Sequence, residues 1–304
     1  MDLKSMRSFL RVARFGNLTR AAESLGVPQP SLSRTIKEIE REAGTVLFIR
    51  TRRGVLLSDA GERFAERMQS VVGQIEDAIA EASTEYKPSG YVTVGIPHSM
   101  TGFMAHPLVE WFAASFPGSI ISLAQGVSDE IEQGLALGQI DIGILISAKT
   151  LAPLIDLKPF AIEQVYLNVA PGQRLPKKTV DWADLALLPL ILPRQQNQLR
   201  RRIEAAARRH RFKPRIVAET SYPELTVSLT AAGLGRSVLP GCASEQAASE
   251  GRVLRYPIAN TEVVWTIAKS LQSPMSRLSD EVEARILELA ASRAKRKLWR
   301  LTAP

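Results

Sequence analysis

A single cysteine, Cys242, in 304 residues excludes an intramolecular disulfide and any CxxC metal site, and it suits a reducing compartment. Histidine is nearly as scarce. His98, His106 and His210 are the only three, and none stands at metal-ligand spacing from another. No G-x-S-x-G, H-E-x-x-H or P-loop occurs, and Gly233-Leu234-Gly235 lacks the third glycine of a dinucleotide-binding turn. The expectation is therefore a protein with no metal, no cofactor and no catalytic residues, which is not an enzyme. No segment approaches the roughly 18 apolar residues of a membrane helix. The opening residues also lack the unbroken apolar run of a signal peptide. A cytoplasmic location with no membrane partner follows as an expectation.

What is present is length, apolar material and positive charge. The 304 residues fit two or three domains, and 45% hydrophobic residues are enough for packed cores. The net charge of +8 suggests an anionic partner, and its distribution says more than its sum. Residues 1–58 carry eleven Lys/Arg against five acids, an excess of six in the stretch with the most specific local pattern.

That stretch runs from Asn17 to Arg53. Asn17 stands where a helix N-cap belongs, and Gly26 where the helix would stop. Pro28 and Pro30 are tolerated only in the first turn of a second helix, whose amides lack intrahelical partners anyway. On that second helix Leu32, Ile36 and Ile39 gather on one side, and Gln29, Pro30, Ser33, Arg34 and Lys37 on the other. Gln can pair bidentately with adenine and Arg with guanine, so the outer face suits a major groove. A solvated surface hairpin of helices would show the same spacing. An amphipathic helix over residues 3–15 can pack on this pair. Two short strands, residues 45–50 and 54–58, flank Thr51-Arg52-Arg53-Gly54 and form a wing whose arginines can reach phosphates or a minor groove.

From Asp59 the pattern changes. Phe64, Met68, Val71, Ile75 and Ala78 recur at four and three, an a/d seam on a helix of about 27 residues and roughly 40 Å. The reading is a dimerisation helix, with packing on its own chain as the alternative. Beyond Gly90, strands and helices alternate in two rounds, which implies a mostly parallel sheet covered on both faces and a cleft between two α/β lobes. Candidate ligand contacts lie after strands and at helix starts. They are His98, Ser99, Met100 and Thr101 after the first strand, and Gln125 and Ser128 after the second. Ser147 follows the third, and Arg194, Gln195, Thr220 and Ser221 face them from the second lobe. Serines and threonines after strands are also ordinary caps. Two basic runs, from Arg200 to Arg215 and from Arg293 to Arg300, read as solvated faces.

Taken together, Leu18-Thr19-Arg20-Ala21-Ala22, Leu25, Gln29-Pro30-Ser31-Leu32-Ser33, Ile36, Leu47-Phe48-Ile49-Arg50 and Ser58-Asp59-Ala60-Gly61-Glu62 resemble the winged helix-turn-helix of LysR-type transcriptional regulators. The Ala232-Gly233-Leu234-Gly235 and Val238-Leu239-Pro240 segments extend the resemblance over essentially the whole chain. Leu192-Pro193-Arg194 and Ser270 to Pro274 are similar to the nitrogen-assimilation-control subgroup. Pro28 departs from the family's small capping residue, and Ser58 from its commoner threonine.

The resemblance implies an α/β chain in three parts. Residues 1–58 are an all-α N-terminal winged helix-turn-helix, and 59–88 a linker and dimerisation helix. Residues 89–304 are a two-lobed periplasmic-binding-protein-like effector domain, with lobe I at 89–162 and 267–304 and lobe II at 163–266. It places DNA contacts at Gln29, Pro30, Ser31, Ser33, Arg34, Lys37, Arg50, Arg52 and Arg53, and strengthens Ser99 and Thr101 as effector contacts. The implied partners are double-stranded DNA at an interrupted palindromic promoter site, a small-molecule effector with anions among the candidates, and further copies of the chain in a dimer or dimer of dimers. RNA polymerase is a possible fourth. A solute-binding module without DNA, and an architectural DNA binder with a vestigial cleft, are the competing functions.

Overall fold

The structure is a computed structural model that describes residues 1–51, 54–80, 90–146, 154–271 and 277–302, the side chains of residues 70, 74 and 76–80 excepted. The chain divides into two compact units, residues 1–92 with 118–120, and residues 93–117 with 121–304.

The first unit opens with α1 (Leu3–Phe15), capped by the Asp2 carboxylate, which accepts from the Ser5 amide at 2.7 Å. Next is α2 (Leu18–Leu25), where the Asn17 side chain accepts from the amides of Thr19 and Arg20, and where Gly26 ends the helix in the left-handed region. Pro28 begins α3 (Gln29–Ala43) with no side-chain cap, as its lack of a polar side chain dictates. Leu32, Ile36 and Ile39, spaced four and three, turn inward from α3 against Phe9, Val12, Ala21 and Ala22. The wing is β1 (Phe48–Thr51) paired antiparallel with β2 (Gly54–Leu57). It is tied to α3 by Glu40, whose carboxylate accepts from the amides of Leu47 and Phe48 at 2.9 and 3.0 Å.

The expected long helix is α4 (Asp59–Ala80), with the Ser58 hydroxyl accepting from the Gly61 amide at its start. Gly61 is required for its size, since a Cβ there would sit 2.0 Å from the carbonyl oxygen of Leu47. The first residue of the predicted seam belongs elsewhere: Phe64 packs edge-on against Phe9, ring centroids 5.0 Å apart, in the core of the first unit. Heptad spacing reports an apolar stripe, and here its N-terminal end is covered by α1. Met68 and Val71 are half-buried, Ile75 is exposed, Val72 beside the seam is buried, and the side chain of Ala78 lies outside the described residues.

In the second unit the described strands form one sheet in the order β4-β3-β5-β10-β6-β9-β7-β8, with β11 also on β6. Their ranges are β3 (Tyr91–Pro97), β4 (Ile120–Gly126), β5 (Ile142–Ile146), β6 (Ile155–Val169), β7 (Pro189–Leu192), β8 (Arg215–Glu219), β9 (Arg236–Pro240), β10 (Leu254–Ser270) and β11 (Trp299–Leu301). The helices are α5 (Thr101–Ser115), α6 (Ser128–Ala136), α7 (Gln198–Arg209), α8 (Pro223–Ala231), α9 (Gly241–Ser249) and α10 (Arg277–Lys295). The expectation of a mostly parallel sheet is corrected. β3–β5, β7–β8 and β7–β9 pair in parallel, but the centre, β5–β10–β6–β9, is antiparallel. The apolar stretches of β6 and β10, at residues 165–169 and 263–268, are only part of each strand. The two strands have 15 and 17 residues and run through both lobes.

Each lobe has its own core. Ile131, Leu135 and Ile140 pack over Leu145 and Ala268 in the first lobe, and Val227, Leu239, Ala247 and Val253 pack together in the second. The last helix returns to the first lobe. Lys158 and Lys269 both pair with Glu283 of α10, and Phe103 of α5 meets Trp299 edge-on at 5.2 Å.

Candidate nucleic-acid interface and effector cleft

The outward face of α3 is built by subtraction. With Leu32, Ile36 and Ile39 inside, Gln29, Pro30, Ser31, Arg34 and Lys37 are exposed and Ser33 is half-buried. The wing strand β1 then brings Arg50 alongside. Ser33, Lys37, Glu40 and Arg50 line one shallow surface between helix and wing, floored by Val12, Leu18, Ile36, Phe48 and Val55. Arg34, Lys37 and Arg50 have no ion pair among the described residues, so their guanidinium and ammonium groups are available to phosphate or base edges. Arg52 and Arg53 lie outside the described residues.

In the second unit a cleft of about 490 Å³, counting the solvent in its mouth, opens where the two lobes meet. From lobe I it is lined by Pro97, His98 and Ser99 after β3, by Gly126, Val127 and Ser128 after β4, and by Ile146 at the end of β5. From lobe II come Pro193, Asn197 and Leu199 around the start of α7, Thr220, Ser221, Pro223 and Thr226 around the start of α8, and Leu239 and Pro240 at the end of β9. His98, Ser99, Ser128 and Thr220 are thus brought together. Ser128 Oγ accepts from the Ile146 amide at 3.1 Å, and Thr220 Oγ1 accepts from the Tyr222 amide at 3.1 Å. The His98 ring meets Tyr222 edge-on at 5.1 Å, a contact between lobes.

Several expected contacts do not line the cleft. The Thr101 hydroxyl starts α5 and accepts from the side-chain amide of Gln125, so the two satisfy each other outside the lining. Arg194 is exposed beside the cleft residue Pro193. Ser147 lies outside the described residues. Asn197 and Thr226 line the cleft but were not singled out. Asn197 was legible as the start of a helix, and its side chain caps α7 by accepting from the Leu199 amide at 2.8 Å. Thr226, one turn into α8, had no local signal.

Two features bridge the lobes. At one, Asp129 in the first turn of α6 accepts from Gln198 Nε2 at 3.0 Å and pairs with Arg201, both on α7. At the other, Arg293 of α10 pairs with Glu245 of α9 and lies over the rings of Phe103 and Trp299 at 4.2 and 5.0 Å. Beneath it Glu163, 2% exposed, accepts from the Cys242 amide at 2.7 Å and from Trp265 Nε1 at 2.9 Å. Burial raises the Glu163 pKa above the ordinary carboxylate value, against the opposing pull of those hydrogen bonds and of Arg293 3.9 Å away. Arg200 is likewise buried, with Glu204, Glu219 and the Pro193 carbonyl as partners. The reading of both basic runs as solvated faces therefore fails at Arg200 and Arg293, because each finds carboxylates far away in the sequence.

Among the described residues no cluster of His, Cys, Asp or Glu could hold a metal, and no helix is long and apolar enough to cross a membrane.

Comparison with known proteins fits this geometry. Residues 3–62 match the family described as bacterial regulatory helix-turn-helix protein, lysR family, and residues 87–283 match the LysR substrate binding domain. The nitrogen assimilation regulatory protein nac of Klebsiella aerogenes is 26% identical over 298 residues, 96% of each chain. The transcriptional activator IlvY of Salmonella typhimurium is 30% identical over 246 residues, 79% of this chain and 82% of its own. Full-length CbnR, solved in complex with its target DNA, superposes with a TM-score of 0.62 at 24% identity, covering 95% of this chain and 98% of that one.

Proposed function

The chain belongs to the LysR family of DNA-binding transcriptional regulators with an effector-binding domain, and on that premise we propose the following assignment of its parts. Residues 1–58 read an interrupted palindrome in promoter DNA. Gln29, Pro30, Ser31, Ser33 and Arg34 face the bases, and Lys37, Arg50, Arg52 and Arg53 face the backbone or the minor groove. Residues 59–88 bring copies of the chain together through Met68, Val71, Ile75 and Ala78, as a dimer or dimer of dimers, in the cytoplasm. Phe64 is left out of that set because it serves the core of its own unit. Residues 89–304 bind a small effector in the cleft between lobe I (89–162, 267–304) and lobe II (163–266). The register shift between Trp265 and Thr266, opposite Ala161 and Pro159, lies close to that boundary and supports it. RNA polymerase is the further partner an activator would require. An anion is one effector candidate by the chain's basic balance, but the cleft lining favours an uncharged one.

The observation that carries the DNA assignment is the shared surface of Ser33, Lys37 and Arg50 beside exposed Arg34, with no carboxylate paired to any of the three cations among the described residues. Footprinting upstream of the chain's own gene supplies the operator. On it, Arg34→Ala is expected to cost about 1–3 kcal/mol of specific binding and much less on random DNA. Equal losses on both would remove Arg34 from the bases.

A further inference from the structure

The effector cleft belongs to a basic protein, yet none of its described lining residues is Lys, Arg, Asp or Glu. The neighbouring cations do not supply the missing charge. Arg201 is held by Asp129, and Arg194 is exposed outside the lining.

Besides α9, which follows Pro240, and the turn at His98 that leads into α5, three helices begin at this cleft, and bare helix N-termini attract anions. Two of the three already face carboxylates of the protein. The first turn of α6 contains Asp129 and Glu130, and Glu130 accepts from the Val127 amide at 3.0 Å. The first turn of α8 contains Glu224, and its N1 residue Pro223 has no amide hydrogen to offer. The third, α7, has its Leu199 amide taken by Asn197.

The polar side chains that remain in the described lining are the His98 ring, the Asn197 amide and five hydroxyls, and two of those hydroxyls face each other's lobe. Ser128 and Thr220, each 7% exposed, both accept a backbone amide, which leaves the hydroxyl hydrogen of each to donate. They stand on opposite lobes. Around them the lining is apolar, with Ile146, Leu199 and Leu239. An anion enclosed there would lose its hydration with no Lys or Arg of the described lining to replace it, whereas a neutral acceptor bonded to the two hydroxyls would not.

Given the reading of this cleft as the effector site, we propose that its occupant is a small molecule uncharged at neutral pH. A carbonyl or hydroxyl oxygen of that molecule is bridged by Ser128 and Thr220, and its aliphatic part lies against Ile146, Leu199 and Leu239. Its chemical class is a small amide or alcohol rather than a carboxylate or phosphate.

The test uses the full-length protein and matched compounds of three to six carbons, each a carboxylate and the primary amide of the same skeleton. Binding is followed by calorimetry and by thermal unfolding at low and high salt. The amide of a binding pair is expected to bind about tenfold more tightly than its acid, with no dependence on salt, and Ser128→Ala or Thr220→Val should weaken it about tenfold. A carboxylate that binds more tightly than its amide, and loses that binding with salt, overturns the proposal. The same loss in Arg194→Ala, or in Lys149→Ala outside the described residues, would name the cation responsible. If neither class binds the wild type at millimolar concentration, the cleft reading falls, and this inference with it.

Discussion

Glu40 is the joint between the recognition helix and the wing, and replacing it separates the two mechanically. One of its carboxylate oxygens accepts from both the Leu47 and Phe48 amides, and the residues carrying those amides are 1% and 8% exposed. In Glu40→Ala neither amide has another protein acceptor in place. A buried, unsatisfied amide costs about 1–3 kcal/mol, and Glu40 itself is only half-buried, so water reaches the site and the lower half of that range applies to each. The expected loss is about 2–4 kcal/mol for the two together. Glu40→Gln keeps a carbonyl oxygen in the same place and gives up only the charge, so its loss should be about 1 kcal/mol. Urea unfolding of residues 1–80, followed beside the full chain, reads these differences.

The functional consequence follows from the same contact. Arg50 sits at the helix–wing surface only while β1 is pinned to α3. Operator affinity should therefore fall more in Glu40→Ala than in Glu40→Gln at a temperature where both are folded, and the salt dependence should flatten by one phosphate contact, a change of about 0.9 in slope. A Glu40→Ala protein with unchanged stability and an unchanged salt slope would show that the wing is held by its hydrophobic residues alone.

Gly61→Ala places a methyl 2.0 Å from the Leu47 carbonyl oxygen, and should cost about 3 kcal/mol or more, read as loss of the α-helical unfolding transition of the first unit. Glu163 gives a pH signature. Its folded pKa is raised by burial, so its contribution is full below the unfolded value and is lost as pH rises through the folded one. Glu163→Gln carries a constant penalty for the hydrogen bond it cannot make, but its stability relative to wild type should rise as pH increases above the ordinary carboxylate range, and a difference flat in pH would refute the burial argument. Arg201→Ala removes a bridge whose partners are 51% and 37% exposed, so stability should change by less than about 1 kcal/mol while amide exchange quickens in the first turns of α6 and α7.

The first unit was legible because its signals are local. Asn17, Gly26 and the Leu32, Ile36, Ile39 spacing each act within a turn or two of themselves, and each appears in the structure in the expected role. The second unit was legible as alternating elements and illegible as pairings. β6 and β10 contain Asp156, Lys158, Pro159 and Pro257, residues that read as turns, and only the partner strand makes them strand. Phe64 shows the same limit on a helix: an apolar stripe records that something covers it, and not whether the cover is α1 or another chain. Arg200 and Arg293 were read as solvent-facing because the carboxylates that hold them, Glu219 and Glu245, lie 19 and 48 residues away.

The two bridges between the lobes differ in what they can do. Arg293 is 7% exposed in its side chain, closes over Phe103 and Trp299, and lies 3.9 Å from a buried carboxylate, so breaking it would strand charge in the interior. It holds the end of the domain where β11 pairs with β6, beside the position where Phe160 drops out of the β6–β10 ladder. The Asp129–Arg201 bridge is exposed and sits at the cleft. A contact of that kind contributes at most about 1 kcal/mol, a factor of about five in the ratio of two arrangements of the lobes. A ligand need only prefer one arrangement by about tenfold, some 1.4 kcal/mol, to outweigh it. The buried bridge therefore behaves as a fixed point, and the exposed one as a contact weak enough for a small neutral ligand, joined to Ser128 on one lobe and Thr220 on the other, to override.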